Sequence, residues 1–169
     1  IRILSDLHNE FSIYDVPVME NEQDQILILA GDIGVAQDGQ RDSTLIKFFE
    51  RLSLRFDRII FIAGNHEFYN SDIREVHPKL YEETDHIYNL SILDDSFVEI
   101  DDVIFVGGTL WTDLCQADPL IMNESRQNMN DYFSIKHNKG GYRRLEPKDT
   151  VGFHENTKDY IFHIASENR

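Results

Sequence analysis

At 169 residues the chain is long enough for one domain with a substantial core and too short to expect two. Its composition, 41% hydrophobic and 28% charged, is that of an ordinary soluble globular protein, and no run of about 18 apolar residues marks a membrane span. Sixteen basic against thirty-one acidic residues give a formal charge of −15, a field that repels long polyanions, is kinder to divalent cations and favours solubility.

Cys115 is the only cysteine, which excludes an intrachain disulfide and suits a reducing cytoplasm, the expected location. IRILS at the start reads as a strand and not as the basic-then-apolar opening of a signal peptide. The missing initiator Met suggests that the numbering starts inside the gene product. With no internal repeat, low-complexity tract or Pro/Gly/Ser linker, residues 1–169 are expected to form a single domain.

In chain order, Ile1–Ser5 is a short apolar strand, and Ile26–Ala30 (ILILA) is a continuous apolar run, the pattern of a strand covered on both faces. Leu45, Ile46, Phe49, Leu52 and Phe56 recur at helical spacing within Ser43–Phe56. A third apolar strand follows at Arg58–Ala63 (RIIFIA), then a helical candidate at Ser71–His86 with Ser71 or Asp72 as N-cap. Alternating strand and helix implies an α/β fold with parallel strands and right-handed crossovers. After Tyr88 the pattern changes, and Ser96–Ile100 and Val103–Gly107 flank Asp101-Asp102 like an antiparallel hairpin. Asp118–Asp131 is an irregular helical candidate, and Lys139-Gly140-Gly141 marks a loop. From Pro147 a last helix points Val151, Tyr160, Ile161 and Ile164 towards the core.

Each apolar strand runs into a polar cluster: Ser5-Asp6-Leu7-His8-Asn9-Glu10, then Gly31-Asp32-Ile33-Gly34, then Gly64-Asn65-His66-Glu67. The carboxyl ends of parallel strands line one edge of an open α/β sheet, so three segments distant in sequence deliver their tips to one region. Asp6 and His8, two apart, can reach inward from one irregular turn, Asp32 can bridge two ions, and Asn65 offers a neutral carbonyl oxygen. This mixture of carboxylate, imidazole and amide suits Mn²⁺, Fe or Zn²⁺, with no thiolate to favour softer sites. Two ions about 3.5–4 Å apart can clamp a phosphoryl group and activate water. A lone D-x-H or G-D carries little information, because strand-to-loop turns favour such residues. GNHE carries more, since a buried strand has no structural reason to end in such costly polar groups. All three in order point to a metal site. A nucleotide-binding doubly wound protein is disfavoured, because no exit carries G-x-G-x-x-G or a P-loop.

Asp6-Leu7-His8, Gly31-Asp32 and Gly64-Asn65-His66-Glu67 resemble the first three motifs of the calcineurin-like metallophosphoesterase superfamily, D-x-H, G-D and G-N-H-[DE]. GTLWTDL (Gly108–Leu114), NMNDY (Asn128–Tyr132) and GYRRLEPKDT (Gly141–Thr150) are similar to a bacterial and phage branch of predicted phosphohydrolases. The resemblance implies a two-sheet α/β/β/α sandwich and a metal-dependent phosphoester hydrolase. Two divalent ions (Mn, Fe or Zn) would be held by Asp6 and His8, by Asp32 as a bridge, and by Asn65. Hydroxide bound to them would attack a phosphate mono- or diester, with His66 beside the leaving group as catalytic residue. Glu67 would orient a histidine or meet solvent. The implied partner is a small phosphorylated substrate, with no membrane, and with nucleic acid only as a phosphodiester.

The family's later motifs, a strand-end histidine and a G-H-x-H, have no match here, so the fold is expected to lack its C-terminal strands. The chain is then either a portion of a longer enzyme or a shortened relative acting as a non-catalytic scaffold or binding protein. His77, His86, His137, His154 and His163 remain, and none follows an apolar strand. Arg126, Arg143 and Arg144 are candidates for gripping phosphate oxygens, or else solvated surface charges. Trp111 and Asp113 are candidates for a pocket wall, or core edge, and Phe68 and Tyr69 either cover the site or pack on the following helix. Asp94-Asp95 and Asp101-Asp102 read as turns.

Overall fold

In the structure, a computed structural model describing residues 1–36, 43–138 and 142–168, the apolar segments do assemble side by side. β1 (Arg2–Leu4), β2 (Ile26–Ala30), β3 (Arg58–Ile62) and β4 (Leu90–Leu93) form a parallel sheet in the order β1-β2-β3-β4. Strand β4 was not expected. Its four residues, LSIL, are too short and too interrupted by Ser91 to show a period, and pairing with β3 from Ile59↔Leu90 to Ile62↔Leu93 supplies the ladder that makes them a strand.

The register puts Leu27, Leu29, Ile59 and Phe61 on one face, and all four are fully buried. Helices α1 (Thr44–Ser53) and α2 (Val76–Thr84) contribute Leu45, Phe49, Leu52, Val76 and Leu80 to the same core, with Phe49 and Phe61 rings 4.8 Å apart. Ser43 Oγ caps α1 by accepting from Leu45 N at 3.2 Å. Helix α2 starts later than its periodicity suggested. The Asp72 carboxylate, instead of capping, accepts from Arg74 and from Asn138 N and so ties this turn to a distant loop.

The second sheet is the expected hairpin, β5 (Ser96–Ile100) against β6 (Val103–Gly107), turning at Asp101 and Asp102 with φ of 50° and 62°. Gly107 lies against Ile62 and Leu93 on the opposite face of the large sheet. That cover fades towards β1, where Ile3 is 64% exposed: the expectation of strands covered on both faces holds at β3, whose Ile60 is buried, and only in part at β2, whose Ile28 is half-buried and Ala30 exposed. The segment before α3 (Pro119–Asn128) is a left-handed turn, Leu114–Ala117. Asp118 caps α3, accepting from Leu120 N and Ile121 N, and the predicted helix breaks at the extended Met129 before one further turn, Asp131–Ser134. The last helix, α4 (Pro147–Glu167), buries Ile164 and leaves Val151, Tyr160 and Ile161 half-buried. The loop expected at Lys139-Gly140-Gly141 lies outside the described residues. Among those residues no helix is long and apolar enough to cross a membrane.

The long β1–β2 connection is fastened by one buried carboxylate. Glu22 accepts from Arg55 Nε at 2.9 Å and Nη2 at 2.7 Å, from Arg2 Nη1 at 3.1 Å and from Met19 N at 3.0 Å. Arg55 also donates to the Val16 and Pro17 carbonyls, so the end of α1 grips the connection at several points. The hydrogen bonds from Arg55 lead the effects that lower the Glu22 pKa to about 2, against the opposing pull of burial. A depressed carboxylate pKa contributes stability above the unfolded value of about 4.3, and that contribution is lost as pH falls towards the folded value. Denaturant unfolding followed from neutral pH down to about pH 2 should therefore show a loss below about 4.3 that is smaller in Glu22→Gln, the variant being less stable at neutral pH, while Asp72 and Asp149, also depressed, sustain the remainder.

Candidate metal centre

The ladder between β1 and β2 continues past the strand ends. Asp6 N donates to Gly31 O at 3.1 Å, His8 N to Asp32 O at 3.0 Å and Asn9 N to Ile33 O at 2.9 Å. These bonds bring the first two polar tips together residue by residue. Asp6, His8 and Asp32 adopt left-handed backbone conformations, with φ of 54°, 47° and 54°. Asp, Asn and His enter that region more readily than other side chains.

The third tip is joined to the second by Glu67. Its carboxylate is fully buried and accepts four backbone N–H bonds: Asp32 at 3.1 Å, Ile33 at 2.7 Å, Gly34 at 3.1 Å and Gly64 at 2.7 Å. Glu67 thus neither orients a histidine nor meets solvent, as its motif position suggested, but closes two loops upon one another. Burial raises its pKa to about 7, while the N–H groups from Gly34, Gly64 and Ile33 pull the other way. The Asp32 charge adds to the rise, whereas all four hydrogen bonds to the carboxylate come from N–H donors, the surrounding an ionised form requires. Asp32 adds a second tie, its Oδ1 accepting from His66 N at 3.0 Å. Close approach here depends on Gly64, whose place a Cβ would fill at 2.1 Å from Asp32 Oδ1.

The result is a dense polar cluster. Ligand atoms of Asp6, His8 and Asp32 lie within 4.8 Å of one another, as do those of His8, Glu10 and His66. The rings of His8 and His66 are 4.3 Å apart, edge to face, and Tyr69 stacks on His66 at 4.3 Å. Asn65 shares with Asp6 and Asp32 the wall of a cavity of about 480 Å³. Its amide is oriented: Nδ2 donates to Tyr69 Oη at 3.3 Å, and that hydroxyl donates to Asp131 Oδ2 at 3.4 Å. Burial, with the Asp131 charge behind it, pushes the Tyr69 hydroxyl up to about 12, so it stays protonated and able to donate.

The donor set fits a divalent cation. Asp6 and Asp32 converge without forming an ion pair to any Lys or Arg among the described residues. Two uncompensated carboxylates and an imidazole at this spacing are what hard to borderline divalent metals bind.

Residues that spacing alone did not single out are Glu10, Tyr69 as a hydrogen-bonding group, and Asp131. Glu10 continues the alternation of Asp6 and His8, which is the signal that could have found it. Asp131 carries no such signal, since it reaches the cavity from a turn after α3. Trp111 does form part of the cavity wall and rests on Phe68 and Phe153, whereas Asp113 caps the left-handed turn through Cys115 N. Phe68 belongs to the core.

None of the three arginine candidates lines the cavity beside Asp6 and Asp32. Arg143 is engaged by Asp149 through two bonds of 2.6 and 2.9 Å, Arg144 is exposed, and Arg126 lines a separate cavity with Glu146 and Lys148. Among the described residues no further histidine joins the cluster. His77 pairs with Asp94 at 3.0 Å, His86 with Glu50 at 2.8 Å and His163 with Glu167 at 3.6 Å. His137 stacks on Phe153, and His154 Nδ1 meets the Trp111 carbonyl.

Comparison with known proteins agrees with this geometry. A family model described as calcineurin-like phosphoesterase matches residues 1–164. An uncharacterised protein of Acanthamoeba polyphaga mimivirus is 28% identical over 95% of this chain. The crystal structure of a phosphopantetheinyl hydrolase from Mycobacterium tuberculosis superposes with a TM-score of 0.62 over 96% of the chain at 19% identity, a likeness of fold. The chain spans 61% of the mimivirus protein and 62% of the hydrolase.

Two substitutions test the assembly of this cluster. Glu67→Gln turns an amide NH₂ towards backbone donors and should destabilise the fold by about 1–3 kcal/mol, read by denaturant unfolding. Gly64→Ala, whose Cβ would meet both the Asp32 carboxylate and, at 2.6 Å, the Asp32 backbone N, should displace Asp32, weaken binding of Mn²⁺ by isothermal titration and lower stability as well.

Proposed function

Because the chain belongs to the calcineurin-like phosphoesterase family, we propose that it hydrolyses a phosphate mono- or diester at two divalent metal ions, Mn, Fe or Zn. The observation that carries this reading is the meeting of Asp6, His8 and Asp32 from two strand exits, their ligand atoms within 4.8 Å of one another. Bound there, the ions would supply Lewis-acid charge to phosphoryl oxygens and make a water more acidic. Asp6, His8, Asp32 and Asn65 are the residues that would hold them.

The protein's own groups do the rest. Tyr69 keeps the Asn65 amide turned, so that a neutral oxygen faces the site and not an N–H. His66 presents Nδ1 to Glu10 at 2.7 Å, which leaves Nε2 to give a proton to the departing oxygen. Glu67 keeps the β2 and β3 exits at one separation, and so fixes Asp32 relative to His66.

A cavity of about 480 Å³ with Leu110, Trp111 and Met129 beside the carboxylates suits a small phosphorylated molecule bearing an apolar or aromatic part. The charge of −15 disfavours a polymeric nucleic acid, which would enter only as a phosphodiester.

The protein should hydrolyse p-nitrophenyl phosphate or its bis ester with added Mn²⁺ and lose the activity on chelation. Absence of both activity and bound metal would favour a non-catalytic scaffold. Asp32→Asn should sharply reduce metal stoichiometry, measured by elemental analysis, because it removes charge from the proposed bridge. His66→Gln should lower kcat by about 100- to 10,000-fold with metal content unchanged. Loss of metal in that variant would make His66 a ligand instead.

A further inference from the structure

Glu10 has no place in the three motifs, yet it touches both histidines of the site. Its Oε1 lies 2.7 Å from His66 Nδ1 and 3.4 Å from His8 Nδ1. The three side chains are sheltered, with relative exposures of 14% for Glu10, 19% for His66 and 30% for His8. His8 Nδ1 is buried and makes no hydrogen bond, its 3.4 Å approach to Oε1 being a contact of charge alone, and Glu10 Oε2 is likewise buried with no hydrogen-bond partner. An ionised oxygen left in that condition costs stability, so a contribution to folding does not account for it.

We propose that Glu10 is a positioning residue that fixes the tautomer and ring direction of His8 and His66 together. The proposal rests on the phosphoesterase reading above for its chemical purpose, although the geometry stands without it. An ionised carboxylate only accepts hydrogen bonds, so an imidazole nitrogen turned towards it carries the proton. Both rings turn Nδ1 to the same oxygen, and both therefore leave Nε2 on the far side. For His8 this leaves the Nε2 lone pair as the one a metal ion would take, with the carboxylate behind the ring fixing its direction. For His66 it leaves Nε2 as the atom that holds the proton destined for the leaving oxygen, once the ring is protonated. One side chain thereby sets a ligand and a proton donor whose ring centroids are only 4.3 Å apart.

A direct ligand role for Glu10 is the competing use of the same cluster, since His8, Glu10 and His66 are also close enough to hold an ion. The 2.7 Å separation between Glu10 Oε1 and His66 Nδ1 favours a charge-assisted hydrogen bond, which lies at this length.

Two variants and two independent readouts decide the matter. In the metal-free protein, ¹⁵N imidazole spectra should show His8 and His66 as Nδ1–H tautomers. Glu10→Ala should move both towards the Nε2–H form, and Glu10→Gln, which keeps an accepting oxygen, should move them less. In the Mn²⁺-loaded protein, Glu10→Ala should lower kcat for phenyl phosphate by about 10- to 100-fold, with KM little changed. The loss should be several-fold smaller for p-nitrophenyl phosphate, whose leaving group needs less protonation. Unchanged tautomers in Glu10→Ala, or equal losses for the two esters, would overturn the inference. Removal of an ion from the metal-loaded protein by both variants would overturn it in favour of ligation. If the wild-type protein hydrolyses neither ester, the phosphoesterase reading fails by itself, and the spectra still decide what Glu10 does.

Discussion

One carboxylate holds two of the three strand exits in a fixed relation. Glu67 draws backbone N–H groups from residues 32, 33 and 34 on one loop and from residue 64 on another. The β1–β2 ladder uses the carbonyl groups of the first loop and not these N–H groups, which without the carboxylate would lose their partner. The exchange is close to balanced. Dehydrating a negative charge opposes it, which is why burial raises the Glu67 pKa, and a set of short charge-assisted bonds offsets the cost. What the fold gains is position: Asp32 and His66 are attached to a common anchor and bonded to each other.

A second, softer chain acts on the opposite side of the cavity. Asn65, Tyr69 and Asp131 are linked in series by bonds of 3.3 and 3.4 Å, longer than those around Glu67. Asp131 belongs to a short turn after α3, so this chain couples the Asn65 amide to a segment distant in sequence. The wall that includes Trp111 and Met129 is built from the same region. The β3 exit therefore has a rigid side, facing β2, and a looser side, facing the cavity.

How much of this was legible beforehand depended on whether one residue or several carried the signal. The apolar runs of β2 and β3 and the period of α1 announced themselves, and the polar residues at the exits could be read as convergent because parallel strands share an edge. Strand β4 was missed because four residues containing a serine have no period, and its identity comes from pairing with β3. Glu67 was placed near the site but given the wrong partners, since nothing local indicates that backbone from residues 32 to 34 will reach it. Arg143 looked free because its partner, Asp149, lies across the start of α4 and serves the helix N-terminus as well. Polar pairing between one element and another is the common element of these misses. Hydrophobic periodicity describes which face of an element is buried, and says nothing about which donor a carboxylate will find.

The left-handed backbone at Asp6, His8 and Asp32 narrows what substitution can achieve there. Most side chains resist this conformation by roughly 1–2 kcal/mol. Replacing one of these residues with alanine would mix two penalties, a missing donor atom and a stiffened peptide. Glycine would remove the donor and relax the peptide together. The vocabulary tolerated at each position is consequently short, because the shape of the chain and the chemistry of its donors both select aspartate, asparagine and histidine.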